Sequence, residues 1–149
     1  MSRVSKKELT LEEKLISYLM QRGKKTVARG IYNDMISYLE TKQEGKVGYE
    51  VFKKALENIC PSIEVRPRRV GGSVYQIPIE VVGDRRLTLG LRWLIAAAKS
   101  RKGKAMYISL GDELIAALDN QGSAVKKKED VHKMAKANKA FAHFARYTR

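Results

Sequence analysis

The sequence predicts a mainly α-helical single domain of about six helices, from which one basic β-hairpin protrudes. Three observations lead there. Apolar residues recur at helical spacing between residues 10 and 59 and again after Asp84. Between residues 63 and 81 they alternate in twos on either side of Gly71 and Gly72, which is a hairpin pattern. The chain has 149 residues, 44% of them hydrophobic, with only 3 Pro. A chain of that length buries roughly 70% of its unfolded surface around one core. No second core and no repeat of fixed period is visible.

Residues 1–9 read as a short basic arm. Thr10 and Glu13 have capping-box spacing, and Leu11, Leu15, Tyr18 and Leu19 continue one helical face until Gly23 stops it. Val27, Ile31, Met35 and Leu39 repeat every fourth residue, which predicts a second helix to about Glu40. Val47, Val51, Ala55, Leu56 and Ile59 mark a third, ended by Cys60 and Pro61.

The hairpin allows two registers. A two-residue Gly71-Gly72 loop pairs Val65 with Pro78 and Ile63 with Glu80. A three-residue loop, Gly71 to Ser73, pairs Val65 with Ile79 and Ile63 with Val81. The second gathers the apolar side chains on one face and is preferred for that reason. It places Arg66 and Arg68 on the opposite face and Arg69 across from Tyr75.

Helical spacing returns with Leu87, Leu91, Leu94, Ile95 and Ala98, with Asp84 as the expected cap and Arg85, Arg86 and Arg92 around the stripe. Lys99 to Lys104 reads as a basic connection. Leu110, Leu114, Ile115 and Leu118 give a fifth helix, ended near Gly122. Ser123 is the expected cap of a sixth, running through Val131 and Ala135 towards Phe141. Residues 145–149 read as a basic tail, so the helical domain spans 10–144 with the hairpin arm at 63–81.

Thirty Lys and Arg against sixteen Asp and Glu give a net charge of +14. Residues 1–60 contribute +4 and residues 61–149 contribute +10. Self-repulsion of this size disfavours the compact free chain, so a polyanionic partner is its natural explanation, nucleic acid above all. A membrane partner is not expected, because the basic segments lack a strongly apolar opposite face and no apolar run reaches the ~20 residues of a span. Cys60 stands alone and no secretory leader is visible, which predicts a soluble protein of a reducing compartment.

Catalytic chemistry finds no support. There is no nucleophile elbow, phosphate loop or zinc-protease helix motif. His132 and His143 are too far apart to chelate one ion, so no metal or cofactor is expected. Asp112-Glu113 and Glu129-Asp130 read as carboxylates in first helical turns, where they favour the helix dipole. Trp93 reads as a core residue. Lys126, Lys127 and Lys128 start the sixth helix, a poor place for cations unless an anion lies near.

The hairpin carries the sharpest signal. Arg66, Arg68 and Arg69 precede its tip, and Tyr75 and Gln76 follow it. Guanidinium groups bind phosphates in bidentate fashion, and a tyrosine stacks on an unpaired base. A helical DNA-binding protein is the rival class. It needs a recognition helix with polar readers, and the third helix offers only Lys53 and Lys54.

Residues 69–80 (RVGGSVYQIPIE) resemble the bacterial-type small-subunit ribosomal protein S-seven family. So do residues 91–94 (LRWL), 124–132 (AVKKKEDVH) and 134–144 (MAKANKAFAHF), and Gly23-Lys24-Lys25 fits the turn after the family's first helix. The resemblance runs from about Leu11 to Phe144. It implies six helices with a hairpin arm and binding to small-subunit rRNA in the head domain, with a role in starting head assembly. It further implies a place near the exit-site tRNA and the mRNA exit, beside the neighbouring small-subunit ribosomal protein eleven. The host would be a cytoplasmic bacterial ribosome or that of a bacterial-type organelle. The rRNA-binding candidates are Arg3, Lys6, Lys7, Lys24, Lys25, Arg66, Arg68, Arg69, Arg86, Arg92, Arg101, Lys102 and Lys104. Arg69, Gly71, Gly72, Tyr75 and Gln76 form the hairpin tip expected nearer the tRNA. The N-terminal arm is shorter and less basic than the family's, and the tail replaces its short aromatic ending.

Overall fold

The computed structural model describes residues 8–147, with side chains to Phe144. Six α-helices and a hairpin follow in the order α1 (Leu11–Leu19), α2 (Lys25–Lys42), α3 (Gly48–Ile59), β1 (Ile63–Val70), β2 (Ser73–Glu80), α4 (Asp84–Ser100), α5 (Met106–Leu118) and α6 (Ser123–Ala137). A 3-10 helix, Lys139–Tyr147, closes the described chain. No helix among the described residues is long and apolar enough to cross a membrane. Residues 1–7 of the predicted arm and residues 148–149 of the predicted tail lie outside the described residues.

The capping box of α1 forms as predicted. Thr10 N–H donates to Glu13 Oε2 at 2.9 Å, and Glu13 N–H donates to Thr10 Oγ1 at 3.2 Å. Leu15, Met35, Leu39, Phe52, Leu56, Ile59, Leu91, Leu94, Leu110 and Leu114 make one continuous core drawn from α1 to α5. Helix α5 is central, touching α2, α3, α4 and α6. Trp93 is half-buried and packs on this core, and Cys60 is buried, its thiol pushed up to about 11 by burial.

Helix α2 buries a different stripe from the predicted one: Ala28, Tyr32, Met35 and Leu39. A strict four-residue repeat drifts about 40° per step on a helix of 3.6 residues per turn. Met35 and Leu39 therefore face the core while Val27 is 58% exposed. Val47 precedes α3 rather than joining its stripe and is also exposed.

The hairpin takes the two-residue loop, not the preferred three-residue one. Ile63 pairs with Glu80, Val65 with Pro78, Arg68 with Tyr75 and Arg69 with Val74. Gly71 (φ 59°) and Gly72 (φ 86°) are both left-handed, as a two-residue primed turn requires to match the strand twist. The one-face criterion fails because Ile77 and Pro78 are both buried. Consecutive strand residues point to opposite faces, so both faces are covered there. Helix α6 packs on β1, and the 3-10 helix packs on β2. Arg66 and Arg68 thus lie opposite Ile63, Val65 and Pro78, as expected, but share their own face with Tyr75 and Ile77, so the apolar side chains are divided between the two faces.

Two caps and two helix positions also differ from expectation. Gly83 and Gly122 hold the cap positions of α4 and α6, and Asp84 and Ser123 are their first helical residues. Asp84 instead accepts Lys14 Nζ at 2.8 Å. Asp112 and Glu113 sit in the middle of α5, and Glu129 and Asp130 in the middle of α6, not in first turns. Helix α6 stops at Ala137, short of Phe141. Asn138 caps it and donates its side-chain amide to Met134 O at 2.8 Å.

His132, on α6, ties that helix to the hairpin base: its Nε2 accepts the Ser62 N–H at 3.2 Å. An accepting Nε2 must be unprotonated. Burial and the nearby Lys128 hold the His132 pKa below the ordinary histidine value. The folded state thus binds fewer protons than the unfolded one as pH falls through the normal histidine range, and stability falls with it. Melting temperature should drop between about pH 7 and pH 5.5, where His titrates when unfolded. The drop should shrink in His132→Gln, whose side-chain oxygen still accepts. An unchanged pH profile in that variant would contradict the assignment.

Candidate nucleic-acid interface

Two of the predicted basic segments meet. The α1–α2 turn is tight, with Arg22 (φ 53°) and Gly23 (φ 74°) both in the left-handed region. It presents Lys24 and Lys25 as exposed side chains. Lys24 lines a cleft together with Lys99, from the end of α4, and the apolar walls include Leu19, Val27, Ile31 and Met106. The end of α4, the start of α5 and the basic turn after α1 therefore line one depression, with the basic connection running between the two helices.

That connection, residues 101–105, is held from beneath by α5. Glu113 is 0% exposed. Its Oε2 accepts Arg101 Nε at 3.1 Å and a terminal guanidinium nitrogen at 2.9 Å. Its Oε1 accepts the Ala124 N–H at 2.8 Å. One buried carboxylate thus fixes the connection and caps α6 from another helix, which accounts for the absence of a side-chain cap there. It also places negative charge at the N-terminal end of the helix that carries Lys126, Lys127 and Lys128, offsetting the dipole. A Cβ on Gly122 would come within 2.6 Å of the same Oε1, so glycine is required by space as well as by its φ of 96°.

The adjacent Asp112 holds the other end. Its Oδ2 accepts Lys104 Nζ at 2.9 Å and its Oδ1 accepts the Tyr38 hydroxyl at 2.6 Å. Burial pushes the Asp112 carboxyl up, but the hydrogen bonds from Lys104 and Tyr38 and the Lys104 and Arg101 charges outweigh it. The carboxyl stays below the usual Asp value. The same hydrogen bond, reinforced by burial, pushes the Tyr38 hydroxyl up to about 12. Between the two anchors Lys102 is exposed. The geometry divides the predicted cations here: Arg101 and Lys104 have internal partners, whereas Lys102 and Lys99 face outward.

The hairpin divides in the same way. Glu64 is buried, accepts Arg66 Nε at 2.7 Å and lies 3.3 Å from a guanidinium nitrogen of Arg85. Arg68 is half-buried, while Arg69, Gly71, Gly72 and Gln76 are exposed at or near the tip. Tyr75 is not a free platform. Its ring centroid lies 4.9 Å from that of Phe141 and 5.4 Å from that of Phe144, so the 3-10 helix clasps the ribbon through aromatic contacts. Arg86 donates from Nε to Pro61 O at 3.2 Å, and the Arg92 guanidinium lies 5.8 Å from the Tyr18 ring centroid.

Arg3, Lys6 and Lys7 lie outside the described residues. Sequence reasoning missed the Asp112–Glu113 anchors, the outward Lys99 and the Phe141–Phe144 clasp. An acidic pair inside the otherwise apolar residues 109–118 (SLGDELIAAL), following a run of cations, was the available signal for the first.

Comparison with known proteins gives the family. The family model described as Ribosomal protein S7p/S5e matches residues 2–139. The small ribosomal subunit protein uS7 of Pseudothermotoga lettingae is 53% identical over 133 residues, covering 89% of this chain and 85% of the relative. That of Clostridium acetobutylicum is 53% identical over 131 residues, covering 88% and 83%. That of Thermotoga maritima is 51% identical over 134 residues, covering 90% and 86%. With one family model spanning most of its length and relatives sharing half its residues, the chain belongs to the ribosomal protein S7p/S5e family.

Proposed function

We propose that the protein is a structural, non-catalytic constituent of the small ribosomal subunit that binds small-subunit rRNA. One observation carries the reading: in a chain of this family, Lys24 and Lys99 from separate segments line one cleft, and the adjoining connection is held in place by the buried Glu113 on Arg101 and the part-buried Asp112 on Lys104. Fixed spacing suits recognition of a folded junction by its shape and phosphates rather than by a linear sequence. Lys24, Lys25, Lys99 and Lys102 are the outward phosphate ligands in this reading. Arg101 and Lys104 set the connection and contribute field. Arg66, Arg85 and Arg86 gather at the hairpin base. Lys126 to Lys128 extend the cationic surface.

At finer grain, the protein binds the rRNA of the head, helps to start its assembly, and lies near the exit-site tRNA and the mRNA exit, beside small-subunit ribosomal protein eleven. It works in the cytoplasmic ribosome of a bacterium or in a bacterial-type organellar ribosome. The hairpin tip with Arg69, Gly71, Gly72 and Gln76 is the part nearest the tRNA. Tyr75 supports the tip from its aromatic clasp rather than stacking on a base.

Sedimentation of a tagged chain through a gradient of dissociated ribosomes tests the assignment. Co-migration with small subunits through a salt wash is expected. Equal distribution over both subunits would defeat it. A second expectation concerns the tip. Arg69→Ala with Gln76→Ala, both exposed near the tip, should impair exit-site tRNA retention in reconstituted subunits, while melting temperature moves by no more than about 2 °C, as for surface changes in a domain of this size. A large loss of thermal stability with normal tRNA retention would reverse the assignment.

A further inference from the structure

The cleft between the α1–α2 turn and the start of α5 differs from the other depressions on the molecule. Its volume is about 320 Å³, at the small end of ligand pockets, which span ~300–1,000 Å³. The cleft at the α2–α3 turn sets Glu50 and Asp119 beside Lys46 and Lys54, and the one at the start of α6 includes Glu129 and Asp130. Among the described residues no carboxylate lines the α1–α2 cleft; its charged members are Lys24 and Lys99. Its walls are apolar, and one of them, Val27, is 58% exposed on a helix that buries other residues in the core.

We propose that this cleft receives one unpaired nucleobase of the bound RNA, with Lys24 and Lys99 on the phosphates flanking it. The inference rests on the rRNA-binding reading above and names the subsite within it. A nucleobase has an apolar face and a polar edge, and it arrives with phosphates attached. Leu19, Val27, Ile31 and Met106 offer the surface for the face, methionine being polarisable and suited to aromatic contact. Gln21, also in the lining, offers both a donor and an acceptor to the edge. Bases that splay from loops and junctions are the usual targets of sequence-specific RNA contacts. The Glu113 and Asp112 anchors hold the adjoining connection in place before binding, so little order need be gained on the α5 side.

Two variants separate the base from the backbone. Val27→Gln removes apolar surface at an exposed helical position and leaves every charge in place. Lys24→Ala with Lys99→Ala removes the flanking cations. Affinity for an rRNA head-domain fragment is measured across a salt series. Val27→Gln should weaken binding about tenfold, in the range of base-stacking contacts, with the salt slope unchanged. The lysine pair should flatten the slope by about two units. Ultraviolet crosslinking of the complex should join a base to Met106 or to the peptide containing Val27. Unchanged affinity in Val27→Gln beside a flattened slope in the lysine pair would overturn the nucleobase subsite and leave rRNA binding standing. No change in either variant would overturn the subsite, base and phosphates alike, whereas failure of the unaltered chain to bind the fragment would overturn the rRNA-binding reading beneath it. A crosslink from this cleft to a protein in assembled subunits would replace the base with a peptide and overturn the proposal.

Discussion

Glu113→Ala will lower the melting temperature by roughly 10 °C. The side chain is fully buried and serves two groups at once, the Arg101 guanidinium and the Ala124 N–H. Breaking a buried pair by removing one partner costs about 3–5 kcal/mol. Arg101 is 35% exposed and recovers some hydration, so about 3 kcal/mol is the appropriate figure. A domain of this size loses ~2–4 °C per kcal/mol. Glu113→Gln keeps an acceptor for the α6 N-terminus but loses the charge, so it should fall between wild type and alanine. Amide hydrogen exchange should rise across residues 101–105 and at the first turn of α6 in the alanine variant. Calorimetry showing a loss of under 2 °C, with exchange unchanged, would mean that the carboxylate does not hold these segments.

The second large effect is on binding. Removing Lys24, Lys25 and Lys102 together, each to alanine, should flatten the salt slope of rRNA binding by about three units, one for each phosphate contact. At physiological salt this corresponds to a loss on the order of a hundredfold. All three side chains are exposed, so folding should be almost unaffected. The opposite result, a lost melting temperature with an unchanged slope, would assign these lysines to the fold. A control with Lys53 and Lys54 changed to alanine should leave the slope near wild type. They lie on α3, outside the α1–α2 cleft and the adjoining connection, and are the residues a DNA-reading helix would use.

The contrast between these two sites reflects what a sequence reveals. Helices α1 to α5 were legible because burial imposes a 3.6-residue period that survives in the order of Leu, Ile and Val. The exposed Val27 shows the limit: a four-residue repeat approximates that period for two steps and then drifts off the core. The hairpin was legible from its glycines and alternation. Its register was not, because the choice assumed one covered face. Burial of both Ile77 and Pro78 depends on α6 and the 3-10 helix, which arrive from the far end of the chain.

The cationic residues were visible one by one, but their division into anchored and outward groups was not. Arg101 and Lys102 look alike in sequence. Only the approach of α5 beneath the connection gives the first a buried partner and leaves the second exposed. Glu64 does the same for Arg66. Tyr75 resembled a stacking platform until Phe141 and Phe144 came against it. In each case the missing information was a long-range contact, which local spacing does not encode.

The most direct test of the central claim is competition binding. The purified protein is titrated with the isolated rRNA head domain, while duplex DNA and an unrelated folded RNA of equal length compete over a range of salt. Recognition of a folded junction by cations held at fixed spacing predicts tight binding that outlasts both competitors at physiological salt. Equal affinity for all three nucleic acids, collapsing together as salt rises, would contradict it and leave only a non-specific attraction between a basic protein and phosphate.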